Sequence, residues 1–109
     1  MLLLAGTMPI EDMPLTYGAC KYDDNKLTIG DYVLKDKYVT LGTATMISAA
    51  SATCQALGIK APQAVVIGDI GKGEGTLEMF RFLTNEVAKL KPTVLTLHYL
   101  LPAREPFIE

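Results

Sequence analysis

A chain of 109 residues, half of them hydrophobic, with a formal net charge of −2 and a mean hydropathy of +0.26, predicts one domain able to bury a core without covalent staples. Its Lys and Arg residues are scattered, and even Lys35-Asp36-Lys37 and Lys89-Leu90-Lys91 are interrupted, which excludes the clustered positive face that nucleic-acid binding needs. A single His and two cysteines with no Cys-x-x-Cys spacing exclude a Cys/His zinc site, and no apolar run approaches the ~18 residues of a membrane span.

Cys20 and Cys54 are read as free thiols, which suit a reducing cytoplasm; Cys54 is expected as a small core residue on a helix. Residues 1–5 are apolar but too short for the h-region of a secretory signal and have no basic segment before them, so an untargeted, cytoplasmic protein is expected. The high hydropathy predicts a sheet covered on both faces and some apolar surface shared with a second copy, hence a homo-oligomer.

In chain order, residues 2–5 read as a short buried strand stopped by Gly6-Thr7. Residues 8–26 carry Pro9, Pro14, Gly18 and the run Asp23-Asp24-Asn25-Lys26, and read as loop. Residues 27–29 and 32–34 are β-favouring and predict one hairpin, turning either at Gly30-Asp31 or at Lys35-Asp36-Lys37; the second is preferred, with 27–34 as one strand kinked at Gly30 and a partner strand over 38–41. A helix over 44–57 follows, rich in Ala, Ser and Thr, with Thr43 as N-cap and Gly58 just past its end. The small side chains and missing charged face predict burial on more than one side.

Residues 64–67 are apolar without alternation, the pattern of a central parallel strand. A second helix is predicted over 76–91, with Leu77, Phe80, Leu83, Val87 and Leu90 as its core stripe and Pro92 as its stop. Met79 and Phe82 widen its apolar face, and 94–101 reads as a last strand. Together these predict a single α/β domain: a small three-layer, Rossmann-like sheet of about five strands, mainly parallel in the C-terminal half and antiparallel in the N-terminal part.

Function is expected where the parallel strands end. The segment 65–76 runs from an apolar strand through Gly68-Asp69, then Gly71, Gly73 and Gly75, to Thr76. Glycine adopts positive φ cheaply, and its missing Cβ lets a ligand approach the peptide N–H groups. The phosphate loop Gly-x4-Gly-Lys-Ser/Thr does not fit, because Glu74-Gly75 stands where Lys-Ser/Thr is required. Gly-x-Gly-x-x-Gly does not fit either, because Thr76 takes the place of the third glycine. The acids Asp69 and Glu74 favour a ligand with hydroxyls, an amine, or a phosphate carried with Mg²⁺, and Lys72 partly offsets them. The bland alternative is a tight strand-to-helix corner capped by Thr76.

Asp69-Ile70-Gly71-Lys72-Gly73-Glu74-Gly75 resembles the first motif of class I S-adenosylmethionine-dependent methyltransferases, an acid and an apolar residue before Gly-x-Gly-x-Gly. The resemblance covers this loop alone. It implies that Asp69, Gly71, Gly73 and Gly75 would pass under the methionine and ribose parts of that cofactor. At the end of the next strand, where that family places an acid for the ribose hydroxyls, this chain has Leu97-His98-Tyr99.

The expectation is a domain holding a nucleotide-like or phosphorylated ligand at the 68–76 corner, its reaction and cofactor open. The candidate ligand contacts are Gly68, Gly71, Lys72, Gly73, Gly75, Thr76 and Thr43, and the candidate catalytic groups are Asp69 and His98. An enzyme requires the last two to reach one cavity. His98 has a bland alternative as a satisfied core residue. A non-catalytic assembly module instead predicts a loop closed by its own contacts and apolar helix faces paired between chains.

Overall fold

The computed structural model describes residues 1–34, 42–98 and 100. It is a mixed α/β fold with strands β1 (Leu2–Met8), β2 (Thr16–Asp23), β3 (Lys26–Ile29), β4 (Tyr32–Val33), β5 (Gln63–Gly68) and β6 (Val94–His98). Two helices, α1 (Gly42–Leu57) and α2 (Glu74–Leu90), flank β5 in the chain. The strands form one sheet of order β4-β3-β2-β5-β1-β6. β1 is parallel to both β5 and β6, while β2 joins β5 antiparallel and carries the β3–β4 meander at the far side.

The continuous apolar runs fall where both faces of a strand are covered. Along β1 and β5, Leu4, Met8, Ala64 and Val66 pack with Ala44 and Ile47 of α1. The alternate residues Leu3, Ala5, Val65 and Ile67 pack with Met79 and Leu83 of α2. Burying each large aliphatic side chain contributes about 1.5–3 kcal/mol, so these two clusters hold the helices to the sheet. α1 ends as its sequence indicates: Gly58 sits at φ 69°, its N–H donates to Gln55 O at 3.1 Å, and Ile59 N–H donates to Cys54 O at 3.0 Å. One polar atom on the buried face of α1, Ser48 Oγ, has no hydrogen-bond partner among the described residues. Ser48→Ala is expected to raise stability by about 1 kcal/mol, since it removes an unsatisfied buried hydroxyl and improves helix propensity. Urea denaturation checks this, and a loss of stability would show that the hydroxyl is needed.

Several expectations are corrected. Among the described residues the sheet has six strands rather than about five, and the antiparallel strand β2 joins the parallel strands directly at β5. β1 runs to Met8, and the stretch read as loop contains β2, a full strand paired to β5. The preferred single strand over 27–34 gives way to the alternative hairpin: Gly30, at φ 57°, and Asp31 turn the chain between β3 and β4. The expected turn at 35–37 and strand at 38–41 lie outside the described residues. The last strand is described over Val94–His98; Leu100 is not in a strand, and residues 99 and 101 lie outside the described residues.

The stripe on α2 is rotated from the expected one. Gly75, Thr76, Met79 and Leu83 are buried, Phe82, Val87 and Leu90 pack against their cluster, and Leu77 and Phe80 are only half-buried. Phe82 meets Tyr17 of β2, ring centroids 5.9 Å apart. Neither predicted N-cap holds. Thr43 lies inside α1, which starts at Gly42, and Thr76 is the third residue of α2, whose N-cap is Gly73.

Candidate ligand site at the carboxyl ends of β1 and β5

The 68–76 corner is wound around the Asp69 carboxylate. Its Oδ1 accepts the backbone N–H groups of Gly71, Lys72 and Gly73 at 2.9, 3.0 and 3.1 Å. Its Oδ2 accepts the N–H of Thr76 at 3.2 Å and its hydroxyl at 3.5 Å. Gly71 and Gly73 make the winding possible, at φ 112° and 86°. Partial burial acts to raise the Asp69 pKa, but the amides of Gly71, Gly73, Thr76 and Lys72 together outweigh it and hold the carboxyl below its ordinary value.

The other two glycines of the corner answer to close packing. A Cβ on Gly75 would stand 2.5 Å from Gly68 O and 2.9 Å from Asp69 Cβ, so the first turn of α2 presses on the end of β5. A Cβ on Gly68 would overlap Ile10 O and stand 2.9 Å from Met13 Cβ. The segment after β1 crosses the end of β5 at that point, where Gly68 N–H donates to Met13 O at 3.0 Å and Asp69 N–H to Met8 O at 2.9 Å.

Between this segment and the glycine loop lies a cavity of about 200 Å³. Ile10, Glu11 and Asp12 form one wall, and Asp69, Ile70, Lys72 and Glu74 the other. The lining thus carries four acidic residues and one basic one, with the Asp69 carboxylate taken up by the loop amides. Among the described residues, no group of three or more His, Cys, Asp or Glu side chains is placed to hold a metal ion. Glu11 and Asp12 were not among the sequence candidates. One signal for them was present: in a parallel sheet the segment leaving β1 lies at the same edge as the one leaving β5.

His98 belongs to a different place. Its Nδ1 lies 3.0 Å from the hydroxyl of Thr43, which is fully buried in α1. Gly6 of β1 lies beneath both: a Cβ there would be 2.5 Å from His98 O and 2.8 Å from Thr43 Cγ2. β1 separates β5 from β6, with Met8 level with Gly68 and Gly6 level with His98. Strand spacing and rise then put Asp69 and His98 roughly 14 Å apart at Cα. The two candidate catalytic groups are not brought together, and neither His98 nor Thr43 lines the cavity. Gly68, Asp69, Lys72 and Gly75 line it, Gly71 and Gly73 shape its loop, and Thr76 is buried behind it.

No helix among the described residues is long and apolar enough to cross a membrane. No protein-family model, curated protein or solved structure matches the chain.

Proposed function

We propose that this chain is a small, Rossmann-like three-layer domain that binds a nucleotide-like ligand through its hydroxyl and amine groups, without catalysing a reaction on it through Asp69 and His98. The observation that carries the proposal is the 200 Å³ crevice at the carboxyl ends of β1 and β5, whose lining among the described residues adds Glu11, Asp12 and Glu74 to the loop-bound Asp69 and holds one basic residue, Lys72. Carboxylates accept hydrogen bonds from ribose hydroxyls and attract amines, and they repel phosphate. The amides that would cradle a phosphate are already turned to Asp69. A phosphorylated ligand therefore enters only with an accompanying divalent cation. One feature supports the methyltransferase-like reading: the ribose, amine and positive sulfonium of S-adenosylmethionine suit an acidic crevice, whereas its carboxylate does not. The compartment that fits is the reducing cytoplasm, where the buried Cys20 and Cys54 stay thiols.

Thermal-shift and calorimetric titrations with adenosine, S-adenosylmethionine, and ATP with and without Mg²⁺ test this. A ligand at 100 times its Kd stabilises by about 2.7 kcal/mol. The expected result is a rise in Tm with adenosine or S-adenosylmethionine, none with ATP alone, and loss of the rise in Glu11→Gln/Asp12→Asn. No shift with any of these ligands would overturn the proposal.

The second reading is a non-catalytic assembly module. Two observations favour it: Asp69 closes the loop with the loop's own amides, and among the described residues β6 is an edge strand with Val94, Leu95 and Leu97 exposed and no Asp, Glu, Lys, Arg or Pro within it. Light scattering decides between them. Assembly predicts a mass at least twice the 11.8 kDa of one chain, reduced to one chain by Leu97→Lys, and a wild-type monomer would remove it.

A further inference from the structure

We draw no further inference here: the strongest candidate, the exposed apolar edge strand β6 at Val94, Leu95 and Leu97, already belongs to the assembly reading, and nothing among the described residues shows what covers it.

Discussion

Gly75→Ala is expected to destabilise the protein by about 3 kcal/mol, at the upper end of what an added methyl group costs in a well-packed interior. Helix propensity alone predicts the opposite sign. Gly75 is the second residue of α2, and an alanine in a helix is favoured over glycine by about 1 kcal/mol. Sterics win because the new Cβ would meet a backbone oxygen, Gly68 O, at 2.5 Å and the Asp69 side chain at 2.9 Å. Neither is the far end of a flexible group. Relief requires moving the start of α2 away from β5, which pulls Thr76 off the Asp69 carboxylate. Gly71→Ala is the control: nothing lies within 4 Å of a Cβ there, and only the φ of 112° opposes it, at about 1–2 kcal/mol. Urea denaturation of both variants separates the causes. If Gly75→Ala proves neutral or stabilising while ligand binding is lost, the glycine serves the approach of a ligand rather than the packing of α2 on β5.

Asp69→Ala is the second large effect, a loss of about 2–3 kcal/mol. Hydrogen bonds to a charged group contribute about 1.5–3 kcal/mol each when buried, but this loop lies at the surface and water takes over part of the released donors. The total therefore stays far below the sum of the separate bonds. Asp69→Asn is expected to lose about half as much, since one amide oxygen can still accept from Gly71, Lys72 and Gly73 while its NH₂ now faces the N–H of Thr76. The pH dependence has a definite sign. The folded-state pKa lies below the unfolded one, so between the two values the unfolded chain binds more protons and stability rises with pH. The contribution is complete above the unfolded value of roughly 3.9 and disappears as pH falls through the folded one. Stability measured from pH 6 downward should show a steeper acid limb in wild type than in Asp69→Ala. Equal limbs would mean that the carboxylate does not hold the loop.

The features legible in the sequence are those with local causes. The cores of β1 and β5 are uninterrupted apolar runs, α1 ends at a glycine, and α2 carries a helical period stopped by Pro92. β2 was hidden because its alternation is broken at Gly18, and the reason for that glycine is not local. A Cβ there would stand 2.5 Å from the Cα of Gly30, twelve residues away across the β2–β3 pair. The two glycines meet face to face, so one reads as loop and the other as a kink until the strands are paired.

The corner was legible as a corner, and Asp69 stood out in it as a candidate site residue. The direction of the carboxylate was not legible. Asp69 with Gly71, Lys72 and Gly73 has the spacing of an Asx-type turn, in which a side chain accepts the backbone N–H groups just after it. The same residues with the carboxylate turned outward would hold a ligand, and only the three-dimensional fold decides between them. Glu11 and Asp12 belong to the crevice through the crossing of one loop over another strand's end, which no local pattern records.

The central place of β1 in the sheet also sets the order in which the protein can form. Leu2 to Ala5 are made well before their hydrogen-bonding neighbours, residues 63–65 of β5 and 94–97 of β6. The antiparallel β2–β3–β4 meander can assemble from adjacent chain, but it gains its anchor on β5 only after α1 has been made. Four consecutive apolar residues therefore wait unpaired until β5 and β6 have been made. Non-local pairing of this kind folds slowly and leaves hydrophobic strand exposed meanwhile, which ties the yield of folded protein to how quickly the last strand is delivered.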